Sequence, residues 1–198
     1  MNRSVLTILI GVGAVIALGF FAFGGVYNSL VKLEEGVSEA WAQVENVYQR
    51  RLDLIPNLVE TVKGYAAHEK ETLQAVVEAR SKITQMHVSS DLIKNPQALA
   101  QFEEAQQGLT STLSRLLVVI EQYPNLKADQ NFLALQGQLE GTENRIAVER
   151  RRFNETARAF NTKVRVFPNS LVARLTGFQK KAYFAADEAA RVAPTVKF

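Results

Sequence analysis

The sequence contains no cysteine, one tryptophan, two histidines, and only 5 prolines and 11 glycines among 198 residues. Without cysteine there are no disulfides, no thiolate nucleophile and no cysteine-based zinc site. The scarcity of proline and glycine, beside abundant leucine, alanine, glutamate and glutamine, favours long helices over sheets. His68 and His87 lack HExxH or any similar ligand spacing, so no metal site is expected. No Gly-x-Ser-x-Gly, Walker or dinucleotide-binding glycine pattern occurs; Gly11-Val12-Gly13 lies inside an apolar run, where that chemistry has no context. No catalytic, cofactor-binding or metal residue is therefore assigned, no cofactor is expected, and the chain does not read as an enzyme.

Charge is absent over one long stretch, Ser4 to Val31. Within it, "VLTILIGVGAVIALGFFAFGGV" is long enough to span the ~30 Å hydrocarbon of a bilayer as a helix. Residues 1–26 read as a single-pass anchor touching lipid through residues 5–26. A cleaved leader is the rival, with small residues at cleavage spacing in Ala22-Phe23-Gly24, although the run exceeds a usual leader. Gly13 and Ala17 form a small-xxx-small pair that lets two spans approach, which raises a homo-oligomer. Arg3 and the amino terminus outweigh Lys32, so the positive-inside rule tips toward a cytoplasmic amino terminus. The bulk of the chain is then on the extracytoplasmic side of a bacterial inner membrane.

The net charge of +3 hides an uneven distribution: 10 basic and 16 acidic residues from Lys32 to Asn144, then 12 basic and 4 acidic from Arg145 to Phe198. Neutralisation across a folded bundle is the simple account. A basic surface for anionic lipid or an acidic protein is the sharper one. Nucleic acid is not expected, because the basic residues lack interleaved aromatics or a binding motif.

The rest reads as all-α: a four-helix bundle over residues 27–167 and a C-terminal short helix and packed tail over 168–198. The first helix covers about Asn28 to Lys63, with apolar positions Leu33, Val37, Trp41, Val44, Tyr48, Leu52, Ile55, Val59 and Val62. The eleven-residue step from Trp41 to Leu52 reads as a stutter, which turns Arg51 to the flank of the core. A second helix is expected near His68–Met86, after a break at Gly64–Ala67, with one continuous bent helix as the alternative. "VSSDLIKNPQ" reads as a loop and "YPNLKADQ" as a turn. A third helix is expected from Gln97 to Gln122. A fourth, from Asn131 to Val164, steps through Phe132, Leu139, Thr142, Ile146, Phe153, Ala157 and Phe160. A short helix follows near Leu171–Phe178, and Tyr183, Phe184 and Phe198 pack the tail on the bundle. Short loops favour antiparallel neighbours.

"YNSLV" (Tyr27–Val31), Trp41, "RRLDLIPNLVETVKGYAAHEKETL" (Arg50–Leu73), "VVEARSK" (Val76–Lys82), "YPNLKA" (Tyr123–Ala128) and "LEGTENRIA" (Leu139–Ala147) resemble the LemA proteins. So do the "FN" pairs at Phe153–Asn154 and Phe160–Asn161, the "FP" at Phe167 and the "GF" at Gly177. The resemblance covers essentially the whole chain. It implies one N-terminal anchor and an antiparallel four-helix domain, and it does not imply an enzyme. Some family members resemble lipoproteins with a lipid-accepting cysteine before the Tyr-Asn; this chain has Gly25 and Val26 there.

If the first and fourth helices are antiparallel neighbours, Asn28 lies near Lys163 and Gly64 near Asn131. Arg50 and Arg51 then face Glu140 and Glu143, and ion pairs are expected among them. Asp53 reaches Asn57 or Arg50, and Asn144 joins the network. Pro56 lacks the amide that would bond the Leu52 carbonyl. A kink is expected, with that carbonyl open to a side chain or water. Arg150, Arg151 and Arg152 include at least two outward positions, available to a partner or lipid. Paired glutamates such as Glu34–Glu35 and Glu103–Glu104 read as solvated faces. The function expected is a membrane-anchored scaffold or interaction protein of the bacterial envelope, self-associating or bound to an unidentified membrane or envelope protein. An adaptor or regulator of a membrane protease or envelope-stress system is the alternative.

Overall fold

A computed structural model describes residues 3–86 and 88–185. His87 and the tail beyond Ala185, including Phe198, lie outside the described residues. Helix α1 is continuous from Arg3 to Tyr65, 63 residues. At a rise of 1.5 Å per residue that is a rod of about 95 Å. The boundary expected after residue 26 thus falls inside a helix, and the apolar run and the first bundle helix are one element. Among the described residues nothing packs over its outer part: Ile16, Leu18, Phe20 and Phe21 are 67–77% exposed. The helix is long and apolar enough there to cross a membrane.

The other elements are α2 (Lys70–Gln85), a 3₁₀ turn (Leu92–Lys94), α3 (Pro96–Ile120), α4 (Pro124–Lys127), α5 (Gln130–Arg165) and α6 (Asn169–Thr176). The break after Gly64 is real, with α1 ending at Tyr65. "YPNLKADQ" holds one helical turn, α4, started by Pro124 at a position whose amide needs no partner. Local chemistry sets the other ends. The Asn95 side chain accepts from the amides of Gln97 and Ala98 to cap α3, and Asp129 accepts from the Phe132 amide to cap α5. Gly177 closes α6 at φ 83°, where a side chain would be strained.

α1 and α5 lie antiparallel along most of the bundle, and α2 and α3 form a second antiparallel pair. Trp41 meets Phe153 with ring centroids 5.5 Å apart, Arg51 meets Glu143, and Tyr65 Oη donates to Asp129 Oδ2 at 3.0 Å. These three contacts keep one register over the length of the pair.

The α1 core corrects one expectation. Val37, Trp41, Val44, Tyr48, Arg51, Ile55, Leu58 and Val62 are all buried, with Leu52 and Val59 beside them. Those eight step four, three, four, three without interruption, so no stutter is present. Arg51 is not on the flank: it occupies a core position and is 2% exposed.

At the end of the bundle nearest the apolar run, α6 folds against α1. Leu30, Val172 and Ala173 are buried together, with Val26, Val164 and Phe178 packed on them. The chain then runs back along α5 as a non-helical strap, residues 178–185, whose Ala182 and Phe184 join the main core.

Candidate functional site

Arg51 is the polar centre of the bundle. Its Nη1 donates to Glu143 Oε2 at 2.6 Å and Thr110 Oγ1 at 3.1 Å, its Nη2 donates to Gln106 Oε1, and its guanidinium carbon lies 5.6 Å from the Tyr48 ring centroid. Gln106 is itself buried within α3, so α1 and α3 each place a polar residue in the same core layer. Such a layer resists being slipped along the bundle, because any shift leaves a charge unpaired in an apolar setting. Two donors remain without a partner among the described residues, Arg51 Nε and Gln106 Nε2. Burial pushes the Tyr48 phenol up to about 12, against the lowering fields of Arg150 and Arg51.

This layer forms the floor of an open groove. The backbones of α3 and α5 stay apart, unlike those of α1 and α5. One cavity of about 140 Å³ lies on the far side of Arg51, walled by Leu58, Leu113, Leu117 and Leu139. A second, of about 350 Å³, lies on the near side, between Tyr48, Gln107, Ser111 and Arg150. An apolar slot and a polar slot thus meet over one buried guanidinium. Among the described residues, no group of three or more His, Asp or Glu side chains could hold a metal ion.

A second constellation fixes the strap. Asn161 Oδ1 accepts from the Lys181 amide and Asn161 Nδ2 donates to the Lys181 carbonyl, both at 2.8 Å. Asn154 does the same to Phe184, at 2.9 and 3.0 Å. The asparagines are seven residues apart on α5, about 10 Å along the axis, which three residues of extended chain also cover. Side chains reinforce the grip. Phe184 stacks on Trp41, the Lys181 ammonium reaches Glu34 at 2.6 Å, and the Ala185 amide donates to Glu103. Across the strap, the Ala182 amide donates to the Ile93 carbonyl at 2.7 Å.

Several expected sites fall elsewhere. Arg50 is exposed, and of the pairs expected from register only Arg51–Glu143 forms among the described residues. Glu140 accepts from Gln136 one turn back, and it also lines the apolar slot. Asp53 accepts from Gln49 at 2.7 Å rather than reaching Asn57 or Arg50. Asn57 is exposed, its carbonyl taken by Thr61. Asn144 lies exposed on a neighbouring surface groove with Arg151. Pro56 sits inside α1, and the Leu52 carbonyl it frees accepts Arg80 Nε at 2.9 Å. Arg151 and Arg152 point outward, whereas Arg150 turns in to Glu103 at 2.5 Å and lies over the Phe184 ring.

Of the glutamates read as solvated faces, Glu35 and Glu104 are exposed, but Glu34 and Glu103 are not. Glu103 is buried and binds Arg150, and Glu34 is the partner of a buried lysine. Gln106 and Thr110 left no motif to find, and Arg80 lies within "VVEARSK" without its role being marked there. Asn154 and Asn161 did leave one: the same polar residue recurs after phenylalanine at heptad spacing, beside the core rather than away from it.

The LemA family profile matches residues 40–198. The chain is 27% identical to Protein LemA of Metamycoplasma hominis over 177 residues, covering 89% of this chain and 77% of that one. It is 27% identical to Magnetosome protein MamQ of Magnetospirillum gryphiswaldense over 174 residues, covering 80% of this chain and 64% of that protein. Magnetosome protein MamQ 2 of Paramagnetospirillum magneticum is 25% identical over 177 residues, with 64% of its length spanned.

Proposed function

The chain belongs to the LemA family, and from that premise we propose that it is a membrane-anchored helical scaffold of the bacterial envelope that associates with further copies of itself. One observation carries this reading: α1 is a single helix from the apolar run to the far end of the bundle. Nothing hinges between anchor and domain, so the bundle stands at a set height on its span. The α3–α5 groove over Arg51 is the docking face, offering leucines beside the exposed carboxylates of Glu140 and Glu143. No matched relative is named for a reaction, and none of the groove residues forms a nucleophile–base pair, so the role is interaction rather than catalysis. The bulk of the chain is extracytoplasmic on this reading, as the charge balance around the apolar run favours.

The chain has no cysteine, so one introduced thiol gives a clean readout. Native mass spectrometry in mild detergent is expected to show an oligomer, and Ser111→Cys in the groove to crosslink between copies where Val118→Cys does not. A strict monomer would remove the self-associating scaffold. An externally added protease that spares a C-terminal tag on spheroplasts but cuts it in inverted vesicles would reverse the side.

A further inference from the structure

We propose that α6 is a second membrane contact, an interfacial helix that lays an apolar stripe on the bilayer beside the point where α1 enters it. This rests on the anchor reading above and adds a surface that the anchor does not need.

Four observations converge. First, α6 packs on Val26 and Leu30 of α1. Those positions are the last turns of the uncharged stretch, just before Lys32, so α6 sits at the height of the headgroups. Second, the face of α6 turned away from α1 is apolar. Leu171 and Leu175 lie one turn apart on it and are 57% and 70% exposed, and Phe167, two residues before the helix, is 84% exposed. The opposite side, Val172 and Ala173, is the one buried against the bundle. An apolar stripe on each side of one short helix is hard to account for in water, and natural at a lipid boundary.

Third, the chain around α6 carries excess positive charge, of which Lys181 is paired with Glu34. From Thr156 to Ala186 there are six basic residues and no acidic one. Arg165, Arg174 and Lys180 are exposed, and none forms an ion pair among the described residues. Cations beside an interfacial apolar face suit anionic headgroups. Fourth, Tyr27 and Phe178 meet at the same level with ring centroids 5.8 Å apart. Aromatic rings with one wet edge gather at membrane interfaces. Charge, apolar area and height thus commit the stripe to one occupant, an anionic lipid surface.

The test places a tryptophan on the full chain and reconstitutes it into vesicles of brominated phosphatidylcholine with phosphatidylglycerol. Trp41 is buried and gives the same background in every variant. I16W reports the span, L175W reports the stripe, and V118W, at the far end of α3, is the control. I16W and L175W are expected to lose about half or more of the added emission to bromine, as rings inside the acyl boundary do, and V118W to lose none. Reversing the charges (R165E, R174E and K180E) in the L175W chain is expected to weaken its quenching without touching I16W. I16W quenched with L175W as bright as V118W would overturn the proposal and leave the anchor standing. Neither quenched would overturn both. An unquenched L175W whose emission shifts to the blue as protein density rises would assign the stripe to a second copy, and overturn the lipid contact.

Discussion

Arg51 Nη1 meets Glu143 Oε2 at 2.6 Å, joining residues 92 apart in the chain, and the two ends of this pair live in different media. Arg51 is 2% exposed while the Glu143 side chain is 50% exposed. Solvent can replace much of what Glu143 contributes, but the guanidinium cannot leave. Glu143→Ala is therefore expected to cost about 2 kcal/mol, less than removal of a fully buried partner. Arg51→Met combined with Gln106→Leu deletes the polar layer whole and is expected to cost less than that. Urea unfolding of the three proteins checks this. A double variant less stable than Glu143→Ala would mean the layer adds net stability rather than register.

The asparagine clamps predict where the strap opens first. Asn161 is buried and Asn154 only half-buried, so Asn161→Ala exposes more unpaired backbone. Each substitution strands one amide and one carbonyl, a loss of about 1–3 kcal/mol. Hydrogen exchange at the Lys181 amide is expected to quicken strongly in Asn161→Ala, and at Phe184 in Asn154→Ala. Equal, global quickening in both would show that the strap is not an independent opening unit.

Pro56 and Arg80 are coupled through the Leu52 carbonyl. Arg80→Ala leaves that oxygen inside the bundle without its donor, at about 1–2 kcal/mol. Pro56→Ala restores an amide one turn away that can take it. The combined variant is expected to fall short of the summed single effects by about 1 kcal/mol. Additive thermal or denaturant midpoints would disconnect the two residues.

Tyr48 carries a pH signature. Its phenol is held up to about 12 by burial, against 10.0 when free. A raised acid favours the neutral form in the folded state, so this stabilisation is complete below about pH 10. It is lost as pH rises from there through about 12. The window corresponds to about 2–3 kcal/mol. Tyr48→Phe is expected to remove that part of the alkaline loss. Identical alkaline profiles by circular dichroism would refute it.

How far the sequence reached depends on how local each cause was. The caps at Asn95 and Asp129 and the turn at Pro124 act within a few residues. The antiparallel pairing of α1 with α5 followed from helix lengths and short loops, and register then brought Glu143 within reach of Arg51. The burial of Arg51 has a non-local cause: Gln106 and Thr110, carried on another helix, satisfy the guanidinium inside the core, and nothing near Arg51 in the chain announces them.

The sequence by itself determined the uncharged run, the helical periodicities and the direction in which the helices return, since each depends on residues a turn or two apart or on loop length. Only the tertiary structure decided that the anchor and first bundle helix are one rod, that α3 and α5 leave a groove over a buried arginine, and that two asparagines hold a returning strap. The last two outcomes rest on polar groups satisfying one another across distant segments. A backbone amide or carbonyl that accepts such a partner is the same at every residue, so it leaves no mark in the order of side chains.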